Sequence, residues 1–286
     1  PNATRAVEVT LGTPIAKRGR NFAGFTVEGE RILASGRKIL REYELLQQDL
    51  NSSKSAPTGN LLIGAVPTAM PIAARFVAML QDRHPGITPT LRSMSSIELE
   101  SGLESLSLDM ALGYTERMDN SNSAVRVIPQ YTEHYFLLRK APPAQSKGPQ
   151  RLRSGKPLRW REGAELPLCL LSAEMHNRSI IDRAFAEAGA SPKPVIETNS
   201  ISTLALSVRA GRVCSVMPGA LVDDVQGYDD IEALPLMEPQ VETAISFLVH
   251  DTNRPSRTLE AALAFAEDAA WRAEVSSHAG ALDTGR

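Results

Sequence analysis

The longest regular pattern of apolar and polar positions runs from about Val27 to Asn51. Within it, apolar or small residues recur at alternating spacings of four and three, at Ile32, Gly36, Ile39, Tyr43, Leu46 and Leu50. That alternation is the seam of a left-handed pair of helices. The pattern therefore predicts one long helix that pairs with a second copy of itself. The Ser, Pro and Gly residues of 51–59 predict a hinge after it.

Beyond the hinge, apolar runs alternate with helical patterns. Strands are predicted at 60–66, 87–94 and 108–113, and helices at 71–80 and 96–106. A strand–helix–strand order of this kind is typical of a parallel sheet with right-handed crossovers. This part of the chain is therefore expected to form a first α/β lobe.

From Tyr135 the chain is expected to enter a second lobe with the same order of elements. Its strands are predicted at 166–171, 194–198 and 213–217, and its helices at 177–188 and 201–210. Three further segments are predicted: a surface loop at 142–157, a returning strand at 244–250 and a closing helix at 256–271. Residues from Ser276 onward are small and polar and are expected to fray.

The first residues of the chain resemble a family of DNA-binding proteins. Leu11-Gly12-Thr13-Pro14-Ile15-Ala16, then Arg18, then Phe25-Thr26-Val27-Glu28-Gly29 are similar to the end of the winged helix-turn-helix of LysR-type transcriptional regulators. The resemblance continues through the long helix and both lobes to about residue 270. The family's first two helices have no counterpart here, either through natural loss or because residues precede Pro1. A start at Pro rather than Met favours the second explanation.

The resemblance implies an α/β protein with a partial winged helix-turn-helix, a long linker helix and a two-lobe effector domain like the periplasmic binding proteins. The expected divisions are 1–28 for the DNA-binding part, 29–56 for the linker helix and hinge, 59–135 with 243–272 for effector lobe I, and 136–242 for effector lobe II. It also implies promoter DNA as a partner, a small-molecule effector between the lobes, a homodimer through the linker helix and a homotetramer through the effector domains. The expected location is the bacterial cytoplasm.

Charge along the chain agrees with DNA contact at one end. Residues 1–54 hold nine Lys or Arg and six Asp or Glu, so this segment is basic although the whole chain has a net charge of −2. A basic head on an acidic body suits nucleic-acid contact by the head, with chance clustering as the alternative. On the wing, Lys17, Arg18 and Arg20 are expected at phosphates. On the recognition helix, Asn2, Thr4 and Arg5 are expected at base edges.

Four patches rich in hydroxyl or amide groups are candidates for the effector site. Ligands of open α/β sheets bind beyond the carboxyl ends of the strands, where helix N-termini offer backbone N–H groups. In chain order the patches are 67–70, 95–96, 172–178 and 199–203. The candidate residues in them are Thr68, Ser95, Ser96, Ser172, Asn199, Ile201 and Thr203. The resemblance points to Thr68, Ser96 and 199–203 in particular. An ordinary helix N-cap is the alternative for each polar residue taken alone.

The expected ligand class follows from nearby positive charge. His176 and Arg178 lie in the third patch and could attract a carboxylate, so an anionic metabolite is the expected effector. A solvated helix start is the alternative for both residues. Thr68 is expected to be an exposed cleft hydroxyl that contributes little to stability.

Other function classes find little support in the sequence. Cys169 and Cys214 each lie in an apolar strand-like run, which predicts buried thiols rather than a redox switch. No run approaches the roughly 18 apolar residues of a membrane span, and no export signal is visible. The five histidines lack metal-ligand spacing, and no catalytic or cofactor motif is present, so neither enzyme activity nor a cofactor is expected. A solute-binding receptor without DNA function is the main alternative, and a two-lobe enzyme is the second.

Overall fold

The structure is a computed structural model that describes residues 2–17, 23–51, 56–117, 125–141, 153–251 and 255–278. Within these ranges the helices are α1 (Asn2–Leu11), α2 (Val27–Asn51), α3 (Met70–Arg83), α4 (Ser96–Glu104), α5 (Trp160–Gly163), α6 (His176–Glu187), α7 (Ile201–Ala210), α8 (Gly219–Asp224), α9 (Arg257–Ala266) and α10 (Ala269–His278). The strands are β1 (Gly59–Ala65), β2 (Ile87–Ser93), β3 (Met110–Tyr114), β4 (Val125–Glu133), β5 (Tyr135–Lys140), β6 (Arg153–Ser154), β7 (Leu158–Arg159), β8 (Leu168–Leu171), β9 (Ile196–Thr198), β10 (Cys214–Pro218), β11 (Ile231–Met237) and β12 (Thr243–His250).

The segment between α1 and α2 contains the base of the predicted wing. After α1 ends at Leu11, Gly12 adopts a φ of +66°, the left-handed conformation in which glycine commonly ends a helix. Ala16 and Phe25 then pair as an antiparallel bridge. The expected phosphate contacts Arg18 and Arg20 lie outside the described residues.

Thr26 and Gly29 explain why the segment resembling the LysR family has its particular residues. Thr26 Oγ1 accepts a hydrogen bond from the Gly29 N–H at 3.0 Å, which caps the start of α2, and donates to the carbonyl oxygen of Pro14 at 2.7 Å. A Cβ at position 29 would lie 2.0 Å from the carbonyl oxygen of Ile15. Only glycine therefore permits this close approach of α2 to the preceding segment.

The predicted long helix is confirmed as α2, a single helix of 25 residues. Several of the seam side chains are open to solvent on one chain, with exposed fractions of 70% for Ile39, 57% for Tyr43, 55% for Leu46 and 76% for Leu50. An apolar stripe of this length is unfavourable in water and marks a surface of association. α2 also contacts α9, which ties it to the body of the protein.

Lobe I comprises β1–β4, β12, α3, α4, α9 and α10. Its sheet has the order β2-β1-β3-β12-β4, with β1, β2 and β3 parallel and β12 antiparallel to both β3 and β4. The fully buried Phe76 of α3 anchors the core, with its ring centroid 4.5 Å from that of Phe247, 5.2 Å from Phe265 and 5.0 Å from Trp271. These aromatic contacts join α3 to β12, α9 and α10.

Lobe II comprises β5–β11 and α5–α8. Its sheet has the order β6-β11-β5-β10-β8-β9, with β7 also paired to β11. Strands β10, β8 and β9 are parallel, and β5 is antiparallel to β10 and β11. The two-lobe α/β architecture predicted from the alternating pattern is therefore confirmed.

The chain passes between the two sheets twice. It leaves lobe I at His134, between β4 and β5, and returns between Met237 and Thr243, where β12 begins. Glu133 and Thr243 are register partners in adjacent strands at these crossings. The predicted lobe boundaries at 135/136 and 242/243 lie beside the crossings and remain a proposal.

Several elements differ from the sequence-based expectation: β6 lies within the predicted surface loop 142–157, and α5, β7, α8 and β11 were not predicted. Strand β4 was not predicted, because Pro129 interrupts its apolar pattern; Pro is tolerated there because β4 is an edge strand and the β12–β4 register shifts beside it. The closing helix is two helices, α9 and α10, because the Asp268 carboxylate accepts the Ala270 N–H at 2.8 Å and starts a new helix. The tail expected to fray from Ser276 is helical as far as His278.

No helix in the described ranges combines the length and apolar character needed to span a membrane.

Candidate functional site

A cavity of about 190 Å³ lies where the two lobes meet. Lobe I contributes the turn after β1, the start of α4 and the end of β3, whereas lobe II contributes the turn after β8 and the start of α6. The lining residues are Val66, Pro67, Thr68, Ser95, Ser96, Ile97, Tyr114, Arg117, Ala173, Glu174, Met175, His176, Asn177 and Ser179. The cavity thus lies beyond the carboxyl ends of strands in both sheets, as expected for α/β folds.

The start of α4 forms one wall of the cavity. Ser95 is the N-cap: its Oγ accepts from the Glu98 N–H at 3.3 Å, while Glu98 Oε2 accepts from the Ser95 N–H at 2.7 Å. This reciprocal pair is a capping box, so the N-cap alternative is correct for the Ser95 side chain. Ser96 Oγ, by contrast, is buried and has no hydrogen-bond partner among the described residues. Ser96 is therefore the better placed of the two hydroxyls to bind a ligand.

Thr68 is not the exposed hydroxyl expected from the sequence. Its side chain is 1% exposed, and Thr68 Oγ1 lies 2.8 Å from Tyr114 Oη in a hydrogen bond. The expectation was wrong because the turn after β1 packs under the end of β3, which only the fold brings together. Thr68 thus lines the cavity and also supports its wall.

A buried hydrogen-bond network extends from Thr68 toward the crossing strands. Asn177 Nδ2 donates to Tyr114 Oη and to Tyr135 Oη, each at 3.3 Å, and Tyr135 Oη lies 3.4 Å from Thr243 Oγ1. Asn177 belongs to lobe II, Tyr114 to lobe I, and Tyr135 and Thr243 stand at the crossings. The amide of Asn177 therefore links the cavity wall to both connections between the lobes.

We expect Thr68→Val to destabilise the protein, because valine keeps the shape of threonine but removes the bond to Tyr114. A net loss of about 1–2 kcal/mol in the free energy of unfolding is expected for one buried hydrogen bond. Urea denaturation measures it, with Thr203→Val as the matched control at a partly exposed position. Equal stability of Thr68→Val and the wild type would show that the Thr68 hydroxyl does not support the wall.

Glu133 is a buried carboxyl at the first crossing. It is 0% exposed, Tyr131 Oη donates to its Oε1 at 3.2 Å, and within the described structure its Oε2 has no hydrogen-bond partner. Burial raises the pKa of Glu133 to about 8, a shift that the bond from Tyr131 opposes only in part. Sequence reasoning missed this group, as it missed Tyr114 and Tyr135, because nothing local to an acid at a strand end indicates burial. Asn177 lies within the predicted patch 172–178 but was not among its named candidates.

The cations expected to attract an anion are already paired. Arg178 is a poor candidate: its guanidinium donates to the carbonyl oxygen of Leu171 and to Glu197 at 2.7 Å and to Asp182 at 2.8 Å. It does not appear among the described residues that line the cavity. His176 does line it, but its Nε2 lies 3.0 Å from Glu116 Oε1. Desolvation lowers the pKa of His176 below its ordinary value even though Glu116 opposes the shift, which favours a neutral ring at pH 7.

Only some of the predicted effector-site residues line the cavity. Thr68, Ser95 and Ser96 meet around the cavity, whereas the described lining does not include Ser172, Asn199, Ile201 or Thr203. Ser172 Oγ instead donates to Glu174 Oε1 at 2.7 Å. Asn199 is exposed beyond β9, which is the edge strand of its sheet. Arg178 joins β8 to β9 through its bonds to the Leu171 carbonyl oxygen and the Glu197 carboxylate.

The expected DNA-contact residues precede all residues of the cavity lining in the sequence. Thr4 and Arg5 are on α1, where Arg5 is exposed, and the exposed Lys17 donates its backbone N–H to the Gly24 carbonyl oxygen at 2.9 Å in the wing. Asn2 begins α1. Across the described ranges, no three His, Cys, Asp or Glu side chains are grouped as metal ligands would be.

Comparison with known proteins identifies the family. The model of the LysR substrate binding domain matches residues 54–271. A hydrogen peroxide-inducible genes activator from Dickeya chrysanthemi is 24% identical over 262 residues, covering 88% of this chain and 80% of the relative.

Solved structures agree with that match. A cysteine variant of full-length OxyR from Pseudomonas aeruginosa superimposes with a TM-score of 0.68 at 19% identity, covering 93% of this chain and 83% of the other. Full-length CbnR, solved with its target DNA, gives 0.66 at 16% identity, covering 93% and 87%. Because the family model spans most of the chain and encloses both lobes and the cavity, this protein belongs to the LysR family of transcriptional regulators.

Proposed function

We propose that this protein is a DNA-binding transcriptional regulator whose promoter binding is controlled by a small-molecule effector in the cavity between the lobes. The observation that carries the proposal is the composition of the cavity wall, which takes hydroxyl and amide groups from both lobes next to the two crossing strands. A ligand that contacts both lobes favours one arrangement of them over another. It therefore shifts a conformational equilibrium by its difference in affinity for the two states.

The linker helix provides a route from the cavity to the DNA-binding part. α2 contacts α9 of lobe I. Its first turn is capped by Thr26, which follows the wing directly. Pairing of two chains through the α2 seam sets the spacing of their DNA-binding parts, and association through the effector domains makes a tetramer. A change in the lobes then alters that spacing and with it the affinity for promoter DNA. This activity belongs in the bacterial cytoplasm, where promoter DNA is located.

The regulator does not depend on a cysteine pair. The sequence has two cysteines, and both are buried. In the register of β8 and β10, Cys169 pairs with Ser215 and Cys214 with Leu168, so the two thiols lie on opposite faces of the sheet. Burial raises the pKa of both thiols, which disfavours the reactive thiolate. The signal for this protein is therefore a bound ligand rather than formation of a disulfide between these residues.

The wing tests the DNA-binding part of the proposal. We expect Lys17→Ala to weaken binding about equally on any duplex and to lower the slope of log affinity against log salt by roughly 0.9, the value for one lost phosphate contact. Lys193→Ala, an exposed lysine of lobe II, serves as the control and should leave the slope unchanged. Fluorescence anisotropy at several salt concentrations measures both. An altered preference between operators with an unchanged slope would place Lys17 at a base rather than at a phosphate.

The same assay serves for Arg18 and Arg20, proposed for phosphates, and for Asn2, Thr4 and Arg5, proposed for base edges. Substitution of a base-edge residue should relax preference at one operator position by about 1–3 kcal/mol and leave the salt slope intact.

A further inference from the structure

The positive charges around the cavity are outnumbered by carboxylates. Arg117 is the one arginine in the described lining, and its Nε donates to Glu100 Oε1 at 2.5 Å. Glu174, also in the lining, adds a negative charge whose carboxylate accepts a hydrogen bond from the Ser172 hydroxyl at 2.7 Å. Behind His176, Glu116 faces Arg183 at 3.8 Å. The described part of the site thus has no excess of positive charge to compensate a buried anion, and burying an uncompensated charge is costly.

The hydrogen-bonding groups of the cavity are of two kinds. Asn177 is 3% exposed and lines the cavity, and its Oδ1 is an acceptor without a partner in the described structure. On the facing wall, the Ser95 Oγ accepts a hydrogen bond from the Glu98 N–H only. The first backbone N–H groups of α4, at Ser96 and Ile97, therefore remain available as donors. Ser96 Oγ can donate or accept. A fitting ligand therefore offers a donor to Asn177 and an acceptor to α4.

We propose that the effector of this protein is a small molecule without net charge that carries both a hydrogen-bond donor and an acceptor, rather than an anion. The inference rests on the proposed function and assigns the ligand class of the same cavity. Its volume of about 190 Å³ fits a ligand of roughly benzene size. Neutral amides and zwitterionic amino acids share the required chemistry, because each pairs a donor with an acceptor at zero net charge.

A trio of equal size separates the ligand classes. Lactate, lactamide and alanine have the same number of heavy atoms but are an anion, a neutral amide and a zwitterion. Calorimetry on the full chain is expected to give binding of lactamide or alanine at least about tenfold tighter than binding of lactate, because only lactate brings a net negative charge into a site without excess positive charge. The stronger of the two tells whether the class is neutral amide or zwitterion. Tighter binding of lactate than of both others would overturn the charge inference while the proposed function stands.

Glu100→Gln tests the same charge inference from the protein side. The substitution removes the negative charge that faces Arg117, so lactate affinity should rise at least about tenfold over the wild type while lactamide affinity changes little. Glu187→Gln, an exposed carboxylate on α6, is the matched control for the change in overall charge. An unchanged preference in Glu100→Gln would overturn the conclusion that Glu100 neutralises Arg117. Binding of none of the trio, to either the wild type or Glu100→Gln, would count against the cavity as the effector site and thus against the proposed function itself.

Discussion

The double substitution Ile39→Lys and Leu46→Lys should break the α2 pair and lower the mass of the assembly, leaving only the association through the effector domains. Both side chains lie on the exposed apolar seam of α2, with exposed fractions of 70% and 55%. In a helix pair they would face a second copy of the seam, and each lysine would place an ammonium group in that contact. Because leucine and lysine have similar helix propensities, α2 itself should persist. Light scattering measures the mass, and circular dichroism measures the helix content.

Glu30→Lys is the matched control for this experiment. It changes the net charge by the same amount as the double substitution, but position 30 lies on the opposite side of α2 from the seam and is exposed. The control should retain the mass of the wild type. Retention of that mass by the double variant as well would exclude the α2 seam as the dimer contact, whereas loss in both would indicate a general effect of charge.

The stability of the protein should fall as the pH rises from about 5 to about 8, and Glu133 should account for a large part of this fall. The pKa of Glu133 is about 8 in the folded protein against an ordinary value of 4.5. The folded protein therefore holds a proton that the unfolded chain releases at lower pH. Neutral Glu133 makes its full contribution to stability below its ordinary pKa of 4.5. This contribution is lost as the pH rises through the pKa of about 8 in the folded protein. At about 1.4 kcal/mol per pKa unit, the upper limit of this loss is roughly 5 kcal/mol.

Glu133→Gln should remove this part of the pH dependence, because the amide has the size of the carboxyl group but does not titrate. We expect its unfolding free energy, measured by urea denaturation at several pH values, to fall less steeply than that of the wild type and to exceed it at about pH 8. Glu242→Gln, an exposed acid beside the second crossing, is the control and should keep the wild-type slope. Parallel slopes for Glu133→Gln and the wild type would show that Glu133 is already ionised in the folded protein.

The cavity shows where reasoning from the sequence succeeds. Thr68, Ser95 and Ser96 follow the ends of β1 and β2, and parallel strands bring such positions to one edge of a sheet. Local sequence order is therefore enough to predict that these residues meet. The same rule placed the 199–203 segment near them. It does not describe that this segment follows β9, the edge strand of its sheet. Nor does it describe that Arg178 bonds to Leu171 and Glu197.

The sequence by itself determined the long helix with its apolar seam, the two α/β lobes and the strand–helix turns that carry the cavity wall, because periodicity and chain order are local properties. Only the tertiary structure decided which groups are buried and with whom they pair. Tyr114, Tyr135 and Asn177 are distant in the chain and meet only where the chain crosses between the lobes. In the same way, the positive charges that indicated an anionic effector are matched by carboxylates from other elements. Charge compensation and desolvation depend on neighbours in space, and no local pattern in the chain records them.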